Sequence, residues 1–303
     1  VDPWHESYVG RKGGAHKEDF DEEEIVESVK ITGAEEQEEK EQEQEGKEDS
    51  DIVKPKMYTF FHRIYHHQRN TGMSDEGDDA MLALWQEEWT AAGFETHILT
   101  LKDAYSHPRF AEFEEQLQNI PLNVPTKIYN QMCFIRHLAM ANVGGGYMSD
   151  YDVLPMTPKP MNQEDEHSDD WLSNFSMNDD IQVYSVTARG GGIPCLMSGS
   201  GSKWETLAFR LIDNGLNHPD ERLWTDFLAM IDLTHESDFT VNDSVLKTFD
   251  IHPEWTKELC DEVSVFSAIH FSHHTLKVAK VKVDRRAGIA REWLQNWRHS
   301  CYP

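Results

Sequence analysis

Basic residues are scarce. The 303 residues carry 28 lysines and arginines against 55 aspartates and glutamates, a formal net charge of -27. Proteins that bind nucleic acid by neutralising phosphates need the opposite balance, so this composition argues against that class. Cysteine is scarce too. Cys133, Cys195, Cys260 and Cys301 show no CxxC spacing, which argues against a zinc cage. An even count permits disulfides, and buried thiols fit equally well. Apolar runs long enough to span a bilayer (~18 residues or more) are absent, so no membrane span is expected. The chain opens on Val1 rather than Met, from which a removed signal or anchor is expected.

The acids are unevenly spread. Glu18 to Asp51 holds seventeen of them against three lysines. That stretch has no sustained apolar period and few large apolar residues, so it cannot bury enough surface to offset the entropy of ordering. Residues 1–55 are therefore read as a disordered acidic arm. Residues 56–303 are read as one folded domain.

Periodicity defines the start of that domain. "MYTFFHRI" is aromatic and β-branched and reads as a strand. "DDAMLALWQEEWTAAG" places Met81, Leu82, Trp85, Trp89 and Ala92 on one helical face, with Gly93 as the stop. "FETHILTL" is a second strand, and the βαβ unit implies a parallel sheet and an α/β fold. A helix is expected from about Lys102 to Leu117. Another, "TKIYNQMCFIRHLAMANV", carries Ile128, Met132, Ile135 and Ala139 on one stripe.

Gly144 to Gly146 end that helix. A phosphate-cradling glycine loop runs from strand into helix, but here the order is helix into strand. These glycines are helix C-caps that permit positive φ. The expected strand runs on from Tyr147 to Val153. A period of two turns Asp150 and Asp152 to one side and Tyr151 to the other. Two carboxylates so close repel each other and need a cation or hydrogen-bond donors. Hard oxygen ligands suit Mn²⁺ or Mg²⁺, which commonly also binds a substrate diphosphate. Removing one charge from a repelling pair, as in Asp152→Asn, is expected to leave stability unchanged or slightly raised.

"FIRHLAMANVGGGYMSDYDV" resembles the DXD-containing glycosyltransferases of GT-A fold, a group that includes fungal Golgi initiating α-1,6-mannosyltransferases and clostridial glucosylating toxins. Arg136, Leu138, Gly145, Gly146, Tyr147, Asp150 and Asp152 match the shared pattern. His62 in "FFHRI" falls where the family has its opening strand, and the likeness extends over about 56 to 155. Cys133 departs from it, standing where the family usually has an aspartate. The resemblance implies a nucleotide-sugar-binding, Rossmann-like domain with a mixed, mainly parallel sheet. It implies a metal-dependent hexosyltransferase that moves a sugar from a nucleotide-diphosphate donor to a glycan, protein or small-molecule hydroxyl, with retention. Asp152 would be the direct metal ligand. Asp150 would contact the ribose or a metal-bound water, and Arg136 the donor sugar or diphosphate. Phe60 and His62 would pack on the donor base. The compartment implied is the secretory pathway, at the Golgi lumen, with a cytoplasmic home as the alternative.

For Arg136 the residues leave a second reading, a salt bridge to Asp150 that stiffens the site. For Phe60 it is sheet core. A third metal ligand is sought in "AIHFSHHT", where His270 is the first choice, His273 is allowed by spacing, and a surface histidine cluster is the alternative. Gly190 to Gly192 and Ser198 to Ser202 read as loops over a cleft, with Ser198, Gly199 and Trp204 as acceptor-binding candidates. "EDEHSDD", at 164–170, reads as an exposed loop or a lid. Trp293 and Trp297 read as core. No carboxylate stands out as a nucleophile. Two other classes remain. One is a nucleotide-sugar or polysaccharide binding protein of weak catalysis. The other is a metal-dependent phosphoryl-transfer enzyme.

Overall fold

The computed structural model describes residues 54–69, 71–122, 126–158, 175, 179–219, 221, 223–234 and 239–303. The acidic arm, except for Lys54 and Pro55, and the 164–170 stretch lie outside the described residues.

The chain opens with strand β1 (Lys56–Phe60), helix α1 (Asp75–Ala91) and strand β2 (Glu95–Leu99). Ser74 caps α1 by accepting the Gly77 N–H at 3.1 Å, and Asp75, Glu76 and Asp78 set negative charge in its first turn. The expected parallel pairing is present, from Lys56 against Glu95 to Phe60 against Leu99. The helix expected over 102–117 is two: α2 (Leu101–Tyr105) and α3 (Phe110–Leu117). Pro108 explains the break, since its ring disfavours helical geometry at His107 and it has no N–H to donate.

Helix α4 (Lys127–Asn142) leads into β3 (Gly145–Ser149), and β4 (Val153–Pro155) follows. Then come β5 (Gln182–Val183), β6 (Leu196–Ser200), α5 (Gly201–Leu216), α6 (Asp226–Thr234), β7 (Thr240–Val241) and β8 (Val245–Leu246). Helix α7 (Lys257–Val263), β9 (Ala268–His270), α8 (His273–Val278) and α9 (Arg286–Cys301) complete the described elements. The main sheet has the order β2-β1-β3-β6-β5-β7. β1 runs parallel to β2 and β3, β5 runs parallel to β7, and β6 runs antiparallel to its two neighbours. The fold is thus α/β, with a mixed, mostly parallel sheet. A second sheet, β4-β9-β8, lies at the end of β3.

Alternation along β1 and β3 feeds two cores. Met57 and Tyr147 join the cluster containing Trp85, Trp89, Trp293 and Trp297, whereas Tyr58 and Met148 join the one containing Phe134, Leu138 and Trp204. Trp293 and Trp297 are core, as expected. A disulfide joins Cys260 of α7 to Cys301 at the end of α9, while Cys133 and Cys195 are free. No helix among the described residues is long and apolar enough to cross a membrane.

Of the three expected helix stops only Gly144 lies at the helix end, where its N–H donates to the Ala141 carbonyl; Gly145 and Gly146 open β3 instead, paired with Ser200 and Gly199, and all three have positive φ, of 87°, 87° and 127°. Their surroundings differ. A Cβ on Gly145 would lie 2.4 Å from the Gly199 carbonyl oxygen, whereas one on Gly144 meets nothing within 4 Å. Gly144→Ala should therefore cost about 1 kcal/mol of backbone strain. Gly145→Ala adds a backbone clash that no rotamer relieves and should cost at least ~3 kcal/mol. Urea unfolding of the two variants checks this, and equal losses would contradict the close approach of β3 to β6.

Candidate metal centre

The two aspartates lie in a turn rather than in a strand. β3 stops at Ser149, and the Asp150 N–H donates to the Cys195 carbonyl at 2.8 Å. The Val153 N–H then donates to the Asp150 carbonyl at 2.9 Å, closing the turn before the chain enters the second sheet. This corrects the expected strand through Val153: the chain leaves one sheet for another here, and a continuous strand cannot serve both.

Helix α1 fixes the turn from one side. Trp85 Nε1 donates to Ser149 Oγ at 2.7 Å, Trp89 Nε1 donates to the Val153 carbonyl at 3.0 Å, and the Tyr151 hydroxyl donates to Asp78 Oδ1 at 2.9 Å. All three bonds lie in buried or half-buried surroundings, where an unmade bond costs about 1–3 kcal/mol.

β9 brings the third candidate. It runs antiparallel to β4 with His270 opposite Val153, and the Phe271 N–H donates to the Asp152 carbonyl at 2.9 Å. One ligand atom from each of Asp150, Asp152 and His270 lies within 4.8 Å of the others. His273, the alternative allowed by spacing, stands at the start of α8 and is not part of this group. Two carboxylates and an imidazole are a donor set suited to Mn²⁺, and to Mg²⁺ with fewer nitrogen contacts. The residues fit such an ion.

Two buried arginines hold the carboxylates. Arg136 of α4 binds Asp150 through Nη1 and Asp226 Oδ2 through Nη2 at 2.6 Å. Arg286, wholly buried at the start of α9, donates from Nη1 to Asp152 Oδ2 at 2.7 Å. Its Nε and Nη2 have no hydrogen-bond partner among the described residues. The other Asp152 oxygen, Oδ1, lies 3.3 Å from His270 Nε2. These partners divide the two acids. Burial pushes the Asp150 carboxyl up to about 6; Arg136 pulls against this and Asp152 adds to it. At Asp152 burial acts the same way, but His270 and Arg286 overcome it and hold the carboxyl at about 2. His270 in turn lies well above its ordinary value: burial opposes the shift, and Asp152 and the Cys195 thiol outweigh it. Burial, with Arg286 and Lys277, takes His273 down to about 4.

The remaining candidates scatter. Arg136 is first an internal cation, as its salt-bridge reading held, with two carboxylates on its guanidinium. Phe60 packs against the second core, the sheet-core reading. His62 is exposed and lines an open cleft of about 780 Å³ with Arg63, Tyr65, Arg69, Glu76 and Ile128. The loop expected over Ser198–Ser202 is instead strand β6 running into α5. Ser198 is buried against the Tyr184 hydroxyl at 2.9 Å, Gly199 pairs with Gly146, and Trp204 is buried with its Nε1 donating to the Gly146 carbonyl at 3.4 Å. None of the three has surface to offer an acceptor. Small residues were chosen there for close strand pairing, not for mobility. The Gly190–Gly192 turn is present; a Cβ on Gly191 would lie 2.8 Å from Ile231 Cγ2 of α6, and the Gly192 N–H donates to Thr234 Oγ1 at 2.9 Å. Asp226, Arg286 and Asp78 carry polar contacts of the site and have no local motif to announce them, and Tyr151, inside the aspartate pair, has a partner in Asp78 that spacing does not reveal.

Residues 50–165 match a family model described as a domain of unknown function (DUF8765). No curated protein matches the chain. The matched span contains Arg136, Asp150 and Asp152 and ends before Asp226, His270 and Arg286.

The division between the two aspartates reverses one expectation. Without metal, ionised Asp150 disfavours the fold as pH rises from its unfolded value near ~4 to about 6. Asp150→Asn should stabilise the metal-free protein at pH 7 by on the order of 1–2 kcal/mol, because solvent at its 30%-exposed side chain screens part of the penalty. Asp152 contributes stability above its unfolded value, lost as pH falls toward about 2. Asp152→Asn strands the buried Arg286 and should cost about 3–5 kcal/mol rather than nothing. Denaturant melts in EDTA compare the two, and effects of the same sign would contradict the assignment.

Proposed function

We propose that the chain is a metal-dependent glycosyltransferase that moves a sugar from a nucleotide-diphosphate donor to a hydroxyl acceptor, with retention. The observation that carries this reading is the meeting of Asp150, Asp152 and His270, from the end of β3 and from β9, at the carboxyl end of a parallel strand. Open α/β sheets bind ligands at that edge. The resemblance of the Arg136–Asp152 stretch to DXD glycosyltransferases supplies the reaction class.

Asp150, Asp152 and His270 would hold Mn²⁺ or Mg²⁺. Bound there, the ion acts as a Lewis acid that neutralises charge building on a departing diphosphate. The protein's own residues do the rest. Arg286 occupies Asp152 Oδ2 and so orients Oδ1 toward His270 and the site. Arg136 compensates Asp150; once Asp150 is otherwise engaged, its Nη1 would be free to donate to an oxyanion, while Nη2 stays on Asp226 and Nε on the Cys133 carbonyl. The cleft bearing His62 offers room for a nucleotide-sized group. The Cys260–Cys301 disulfide is compatible with an oxidising compartment and so supports the secretory, Golgi-lumen expectation.

Two measurements test this reading. UDP- and GDP-sugars screened with the full chain should reveal hydrolysis or transfer that requires Mn²⁺; failure of every donor would overturn the reaction class. In calorimetry, Mn²⁺ must displace the proton that Asp152 holds on His270, so binding should release about one proton and weaken as pH falls. His270→Ala should weaken Mn²⁺ at least ~10-fold and depress turnover, while His273→Ala should change neither by more than ~2-fold. A selective loss in His273→Ala would move the ligand to α8.

A further inference from the structure

The residue between the two aspartates is tied to a part of the molecule that the metal site does not need. The Tyr151 hydroxyl donates to Asp78 Oδ1 at 2.9 Å, and its ring stands edge-on to Phe61 at 5.7 Å. The other Asp78 oxygen, Oδ2, accepts from Arg69 Nη1 at 3.1 Å. Arg69 also donates to the Ile64 carbonyl through Nε and to the Met73 carbonyl through Nη1, each at 3.0 Å. It thereby cross-braces residues 61–69 and 71–74, which follow β1 at the same sheet edge. The pair is deeply placed, with side-chain exposures of 8% for Arg69 and 5% for Asp78. A buried ion pair costs desolvation that a stability role alone poorly recovers. A bond at each Asp78 oxygen ties the two ends through one buried carboxylate, so displacement at one end is felt at the other. At one end is the backbone that presents His62 and lines the 780 Å³ cleft. At the other is the turn that carries Asp150 and Asp152.

We propose that Arg69, Asp78 and Tyr151 are positioning residues, a buried relay that couples the cleft-lining backbone to the carboxylate pair. Filling either site then orders the other, and by linkage the coupling is reciprocal. This deepens, and rests on, the metal-site reading above. The relay itself is a property of the metal-free fold. Tyr151→Phe removes its last bond and keeps the ring against Phe61.

Amide hydrogen exchange of the full chain tests the relay, with Mn²⁺ alone as probe. In the wild type, Mn²⁺ should slow exchange at the Gln68 and Arg69 amides, which donate to the Tyr65 and His66 carbonyls within the braced segment, by at least about 5-fold. In Tyr151→Phe that protection should vanish, and Mn²⁺ affinity by electron paramagnetic resonance should fall about 3- to 10-fold. In EDTA, Tyr151→Phe should already speed exchange at the same amides. Arg69→Lys, which keeps the charge but loses the fork, should behave the same way and serves if the first variant proves insoluble. A merely structural bond would lower the melting temperature and leave metal affinity and the Mn²⁺-dependent protection intact, which would overturn the proposal. If Mn²⁺ fails to bind the wild type, the metal reading falls. The EDTA comparison then decides the relay alone: faster exchange confined to residues 61–69 and 71–74, with α5 and α9 unchanged, sustains it, and unchanged or uniformly faster exchange removes it.

Discussion

Helix α1 grips the turn after β3 at three alternate residues. Trp85 holds Ser149, Asp78 holds Tyr151 and Trp89 holds Val153. Positions 78, 85 and 89 are spaced by seven and four and so share one helical stripe. Positions 149, 151 and 153 all face that stripe, although the chain between them turns. When a helix claims the odd side, the even side is left to Asp150 and Asp152. The same-side placement of the two carboxylates thus survives although the strand does not, because α1 imposes from outside the alternation that a β-ladder would have imposed. The tryptophans also drive α1 onto the core, so the apolar burial that folds the helix is what sets the polar clamp.

A clamp alone would not hold two carboxylates together, and the arginines explain the rest. Arg286 is fully buried and would be intolerable without Asp152. Arg136 answers two acids, Asp150 and Asp226, and Asp226 has His137 as a further partner at 3.4 Å. Asp226 is held below its usual range: burial opposes this, and Arg136 and His137 prevail. Asp150 shares the same arginine, but burial and the neighbouring Asp152 outweigh it, and Asp150 is the acid left under-compensated. An under-compensated carboxylate beside a second one and a histidine is what a divalent cation relieves.

How much of this was legible in the residues depended on distance along the chain. The β1-α1-β2 unit, the helix stop at Gly144 and the aspartate pair rest on local periods and spacings, and they stand in the structure; of the stripe on α4, Ile135 and Ala139 are buried while Ile128 lines the open cleft. Pro108 signalled a helix break that the apolar spacing of 102–117 masked. Ser198 and Gly199 looked like loop residues because small polar residues mark turns and tight strand contacts alike. His270 could be proposed but not separated from His273 by spacing, because the choice is made by the pairing of β9 with β4. Arg286 and Asp226 were invisible. A buried charge in a helix looks like any surface charge until its partner arrives from another part of the chain.

That long-range dependence gives the C-terminal disulfide a role in the site. The loop closed by Cys260 and Cys301 contains both His270 and Arg286, the two groups that reach Asp152 from far along the chain. Docking that segment costs chain entropy that local contacts in β9 and α9 must recover. A cross-link across 41 residues removes on the order of 3–4 kcal/mol of that cost from the unfolded state. The buried Arg286–Asp152 pair is itself a poor source of stability, since its attraction mostly offsets desolvation. The fold therefore secures its most expensive polar contact with a covalent loop and the Trp293–Trp297 packing of α9, rather than with the contact itself.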